Sequence, residues 1–112
     1  MEEIMEAALD VERRVLWLDG RECRLSPILI SLVAVMASRP AGVPVSISEF
    51  SLAVGWNPID RVTVANYLRG HIKRLRDRTY FGLVENRWGG YALTCPVEVV
   101  KYAKASLRAE AL

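Results

Sequence analysis

The chain has one histidine and two cysteines among its 112 residues, and none of the three is placed for chemistry. Cys23 and Cys95 lie far apart and lack Cys-x-x-Cys spacing, which sets aside a metal knuckle or redox pair and leaves two reduced thiols as the expectation. His71 has no His, Cys or carboxylate four residues away on either side, so no metal ligand set is expected. No apolar run reaches the ~18 to 20 residues that span a bilayer. The longest, residues 25–37, contains Ser31 and suits a core helix. The start of the chain is acidic, unlike a signal peptide, so the expectation is a cytoplasmic protein with no membrane partner. There is no Gly-x-Ser-x-Gly and no phosphate-binding loop, and Ser26, Ser46 and Ser48 stand where helix caps belong. Neither an enzyme nor a cofactor is expected, and no repeat or low-complexity segment interrupts the chain.

What is present suits one domain. Hydrophobic residues make up 52% and charged residues 25%, enough to bury a single core without disulfides. A net charge of +2 and a pI near 8.7 are too mild to indicate a polyanionic partner. The distribution is more informative. Residues 1–22 hold seven of the thirteen acids, whereas residues 61–78 hold Arg61, Arg69, Lys73, Arg74, Arg76 and Arg78 against Asp77 alone, a local charge of +5. Such a segment attracts a polyanion to one face of a nearly neutral molecule.

The order of elements follows from short-range signals. Residues 4–25 read as three short strands, with Asp19-Gly20 as a two-residue hairpin turn of type I′. Ser26-Pro27 offers an N-cap and a proline at the first helical position, opening a helix that ends before Pro40. Val43 and Val45 suit a brief strand. Ser46-Ile47-Ser48-Glu49 has capping-box spacing and starts a short helix that Gly55 closes. Asp60 caps a third helix, in which Ala65, Leu68, Ile72 and Leu75 form an apolar stripe. Residues 81–84 and 90–93 read as two strands with Arg87-Trp88-Gly89 at their tip. From Pro96, apolar residues at helical spacing predict a fourth, amphipathic helix over residues 96–112.

On a 100° wheel the third helix turns Asn66, Tyr67, Gly70, Lys73, Arg74 and Asp77 away from its apolar stripe. That face suits a major groove: Asn66 can bond adenine bidentately, Arg74 can bond guanine, Gly70 allows close approach, and Tyr67 reaches phosphate or a thymine methyl. Arg69 and Arg76 fall on the flanks, where phosphate contact fits better than base reading. The plainer reading is a solvated charged face. His71 stands on the shoulder beside Arg74 and Arg78, whose charge disfavours its protonated form and leaves a neutral donor to phosphate or backbone. At the hairpin tip Arg87 suits a narrow minor groove, and Trp88 either packs on sugar or lies back on the sheet. Trp17 and Trp56 read as structural.

Three motifs, taken in order, resemble the OmpR/PhoB-type winged-helix effector domain of bacterial response regulators. Asp19-Gly20-Arg21 with Leu25-Ser26-Pro27 is similar to that family's hairpin and helix start, His71-Ile72-Lys73-Arg74-Leu75-Arg76 to its recognition-helix signature, and Arg87-Trp88-Gly89-Gly90-Tyr91 to its wing. The likeness covers residues 4–94. It implies that Asn66, Tyr67, Arg69, Gly70 and Arg74 face the major groove, that Lys73 and Arg76 touch phosphate, and that Arg87 enters the minor groove. It further implies that the loop at residues 55–60, between Gly55 and Asp60, corresponds to the segment with which family members touch RNA polymerase. The chain departs from the pattern at Arg69, where an acidic or small residue is common, and at Trp88, which replaces the wing's first glycine. It also has no receiver domain ahead of the module within these 112 residues, and the family's domain normally ends near its wing.

The expectation is therefore an α+β winged helix-turn-helix with an N-terminal antiparallel sheet, a three-helix core and a hairpin wing over residues 1–95, plus a helical extension over 96–112. Its function would be sequence-specific binding of double-stranded DNA in transcription regulation, as a homodimer or tandem pair. The extension would either form the dimer contact or cover the sheet. The alternative is a protein-interaction module of the same fold, binding RNA polymerase or another regulator.

Overall fold

Asp19 (φ 50°) and Gly20 (φ 82°) both take positive φ in the computed structural model, which describes residues 6–56 and 61–100. That backbone matches the right-handed twist of the strands it joins. It links β2 (Val15–Leu18) to β3 (Arg21–Arg24), and β1 (Ala7–Asp10) pairs antiparallel with β2 on the other side. Leu9, Leu16 and Cys23 lie in register across the three strands and are all buried, so one face of the sheet closes the core.

α1 (Pro27–Ala37) runs through the middle of the molecule and packs on α2, α3 and both sheets. Leu29, Ile30, Leu32, Val33 and Met36 are buried against these neighbours, while Ser31 is exposed. Ser26 occupies the N-cap position with extended backbone, but its side chain makes no capping bond. β4 (Val45–Ser46) leads into α2 (Ile47–Val54), where the capping box is complete: the Glu49 amide donates to Ser46 Oγ at 3.2 Å and the Ser46 amide to Glu49 Oε2 at 3.0 Å. Arg39 Nη1 meets the same carboxylate at 2.9 Å, tying the end of α1 to the start of α2. The Arg39 hydrogen bond, and then the Ser46 amide, hold the Glu49 carboxyl below its ordinary range. Gly55, at φ 74°, closes α2.

α3 (Arg61–Arg78) buries Val64, Leu68, Ile72 and Leu75. Its stripe starts one residue earlier than the wheel predicted, since Ala65 is only half-buried. The helix is fixed to the N-terminal sheet by Arg21, whose Nη2 donates to the Thr79 carbonyl at 3.0 Å. The strand expected from Phe81 is first a 3₁₀ turn (Phe81–Leu83), closed by the Leu83 amide donating to the Tyr80 carbonyl at 3.2 Å, and Thr94 Oγ1 donates to the Gly82 carbonyl at 2.6 Å. β5 (Val84–Arg87) and β6 (Gly90–Leu93) then form the wing hairpin, and β4 adds to the far side of β6.

The helix expected to begin at Pro96 does not begin there. Cys95 and Val97 are buried while Pro96 and Glu98 are exposed, the period-two burial of a strand. β7 (Glu98–Val99) pairs in parallel with β1, and the Val100 amide donates to the Leu9 carbonyl at 2.8 Å. The N-terminal sheet is thus four-stranded and mixed, ordered β3-β2-β1-β7. The rest of the expected extension, residues 101–112, lies outside the described residues, as do residues 57–60 of the loop before α3.

Candidate nucleic-acid interface

The outer face of α3 exposes Asn66, Tyr67, Arg69, Lys73 and Arg74 together, with Gly70 and His71 half-buried among them. Two side-chain pairs order it, each three residues apart and so on one face of the helix. Arg69 Nη1 donates to Asn66 Oδ1 at 3.1 Å, and Arg74 Nη2 lies 3.0 Å from His71 Nδ1. An arginine can only donate, so Nδ1 accepts and the neutral ring carries its proton on Nε2. Burial, and then the Arg74 charge, lower the His71 pKa, which favours this neutral form.

Trp56 has a larger part than a structural residue after a helix-ending glycine. Its indole stacks on His71, with ring centroids 5.9 Å apart and planes 24° apart, and meets Tyr67 edge-on at 6.5 Å. It therefore backs two residues of the proposed reading face. The sequence signal for this was only its position, one residue beyond the glycine that turns the chain towards α3.

Arg76, expected from the sequence to touch phosphate, makes contacts within the chain. Its Nη2 donates to the Val84 carbonyl at 2.8 Å and to Asn86 Oδ1 at 3.2 Å, and its guanidinium lies 4.8 Å from the Phe81 ring centroid. The side chain is half-buried and turned towards β5, so it fastens the wing to α3. The flank position on the wheel, next to the apolar stripe, was the hint of that inward turn.

At the wing, Arg87 is held from three sides. Nε pairs with Glu85 at 2.8 Å, Nη1 donates to the Gly42 carbonyl at 3.4 Å, and the guanidinium lies 5.4 Å from the Trp88 ring centroid. Trp88 does not lie back on the sheet: it is 86% exposed at the tip. A depression of about 220 Å³ between the wing and the start of α2 is lined by Ile47, Asn86, Arg87, Trp88, Gly89, Gly90 and Tyr91.

This arrangement can offer amide, guanidinium, hydroxyl and imidazole donors along one helix face, with a second cationic and aromatic group at the wing. Among the described residues no group of three or more His, Cys, Asp or Glu side chains is placed to hold a metal ion. No helix there is long and apolar enough to cross a membrane.

No protein-family model matches the chain, and no curated protein matches it. Solved structures do. The DNA-binding domain of the response regulator AdeR, in a crystal structure in complex with an intercistronic region, superposes with a TM-score of 0.62 at 17% identity, covering 85% of this chain and all of that one. The DNA-binding domain of E. coli CadC superposes with a TM-score of 0.58 at 20% identity, covering 84% of this chain and 91% of that one. The chain has the winged-helix fold of these domains.

Proposed function

We propose that this protein is a transcription regulator, not an enzyme, that binds double-stranded DNA sequence-specifically, with α3 in the major groove and the β5–β6 wing at the adjacent minor groove. The reading rests chiefly on one observation: five polar or cationic side chains lie exposed together on the outer face of α3, in a fold shared with a domain solved on its DNA. Asn66 and Arg74 are the base readers. Their partners Arg69 and His71 limit their rotamers before binding, which reduces the entropy lost on contact. Arg69 and Lys73 reach phosphate, Tyr67 reaches phosphate or a thymine methyl, and Arg87 serves the minor groove. Arg76 acts indirectly, by setting the wing against α3.

The test is binding to duplexes from a randomised pool as a function of salt. With about four cations engaged, Arg69, Lys73, Arg74 and Arg87, affinity should fall with a log–log slope of roughly −3 to −4. Arg74→Ala should cost about 1 to 3 kcal/mol on the preferred site and relax preference at one base pair. Equal losses on preferred and random duplexes would remove Arg74 from base reading, and absence of binding at low salt would remove the proposal.

A second reading has one specific observation in its favour. Leu52 on α2 and Val62 on α3 are 84% and 71% exposed on either side of the loop at residues 55–60. Two exposed apolar side chains flanking one loop suit a contact with RNA polymerase or another regulator. Loss of transcriptional output with unchanged DNA affinity in Leu52→Ser/Val62→Ser would support that contact.

A further inference from the structure

The wing turn breaks a rule of local structure at Trp88, and all that the ring gains within the chain is one exposed cation–π contact with Arg87. Trp88 and Gly89 form the two-residue connection between Arg87 and Gly90, with φ of 42° and 76°. Positive φ at both positions is the type I′ pattern, which favours Asn or Asp followed by Gly. A bulky aromatic there is an outlier, because its Cβ crowds the backbone in the left-handed region. Strain of this kind persists where it serves a function.

The side chain gives no packing in return. Trp88 is 86% exposed, and its indole forms one wall of the depression beside Ile47 and Tyr91 without filling it. Its neighbour is a cation: the Arg87 guanidinium is 5.4 Å from the ring centroid and is itself anchored by Glu85 and Gly42. A flat, solvent-facing apolar ring beside a fixed positive charge, at the tip of a stiff hairpin, matches the chemistry of a minor groove. There phosphates line the edges, and base steps open to an apolar wedge.

We infer that Trp88 is a wedge that inserts into a base step in the minor groove and kinks the duplex, while Arg87 binds the groove edge beside it. This rests on the duplex-binding reading above. It goes beyond that reading in assigning the wing a deforming role, so that site preference depends on how readily the contacted step unstacks. Pyrimidine–purine steps, which kink most easily, would be favoured under the wing.

Trp88→Asn tests the inference without endangering the fold, since asparagine is a preferred residue in this turn. Three quantities are measured for the wild type, Trp88→Asn and Trp88→Phe: melting temperature, affinity for the selected duplex, and bend angle from end-to-end fluorescence transfer. The expected result is a melting temperature for Trp88→Asn at or above that of the wild type. Its affinity should be about tenfold lower, and a bend of at least about 20° should be lost. Trp88→Phe should retain most of the bend. An unchanged bend in Trp88→Asn, with wild-type duplex binding intact, would overturn the wedge and leave the DNA reading standing. A wild type that binds no duplex would overturn both.

Discussion

Replacing Gly70 by alanine should make the protein more stable and a poorer DNA binder. Gly70 lies inside α3, where glycine costs roughly 0.5 to 1 kcal/mol relative to alanine because of the backbone freedom it loses. A Cβ built there meets nothing within 4 Å apart from the helix's own nearby backbone, so no clash offsets the gain. For a chain of this size 1 kcal/mol corresponds to about 4 °C in melting temperature. The expected rise is therefore roughly 2 to 4 °C by calorimetry or circular dichroism. The same methyl group would project from the face that carries Asn66, Tyr67 and Arg74. If the helix backbone approaches the duplex at Gly70, the methyl holds it away, and specific affinity should fall about tenfold, equivalent to about 1.4 kcal/mol. Unchanged affinity together with the higher melting temperature would refute the close approach. A lower melting temperature would refute the assignment of free space around Gly70.

Gly90 should behave in the opposite way. A Cβ there would lie 2.2 Å from the Val45 carbonyl oxygen and 2.9 Å from its carbon, backbone atoms that can move only if β4 leaves β6. Gly90→Ala should lose about 1 to 3 kcal/mol or more, and a melting temperature within a degree of the wild type would contradict the close strand contact. His71, the chain's only histidine, gives a pH dependence whose sign is fixed by its lowered pKa. The unfolded chain, with a pKa near 6.5, takes up the proton first, so stability is full above about pH 6.5 and falls as pH drops below it. The difference in melting temperature between wild type and His71→Gln should therefore shift against the wild type from pH 8 to pH 5. A pH-independent difference would show that His71 is not held neutral.

Signals confined to a few neighbouring residues were the legible part of this fold. The Ser46–Glu49 box, the Asp19-Gly20 turn and the glycine that ends α2 each state their own geometry, and the structure has all three. The start of the α3 stripe differs by one residue because Val64 and Ala65 are both apolar and flank the Leu68 position on opposite sides of the wheel, at about 40° and about 60° from it. The chain after Pro96 differs from its predicted helix for another reason. Its strand exists only through β1, about ninety residues earlier, and a proline followed by apolar residues carries no trace of that partner. The site shows the same division. Periodicity puts Asn66, Tyr67 and Arg74 on one face, whereas the inward turn of Arg76 and the stacking of Trp56 on His71 depend on how the next and preceding elements pack against α3.

Gly70, Trp88 and Gly90 all depart from what local propensity favours, yet the structure accounts in full for only one of them, since the Arg87 contact of Trp88 is exposed. Gly90 is explained inside the molecule, since Val45 occupies the space a side chain would need. Gly70 weakens a helix with free space around it, and Trp88 strains a turn while its ring faces solvent. Departures without internal compensation concentrate at functional surfaces. These two lie on the parts that Arg76 fastens together, Gly70 within α3 and Trp88 in the turn that follows β5. A single rigid partner contacting both would explain both, and a duplex presenting its major groove to α3 and its minor groove to the wing has that shape. The double variant Gly70→Ala/Trp88→Asn should therefore melt higher than either single variant while binding duplex DNA more weakly than either. A double variant that gains stability but binds no more weakly than Gly70→Ala would mean that the two residues do not answer to the same partner.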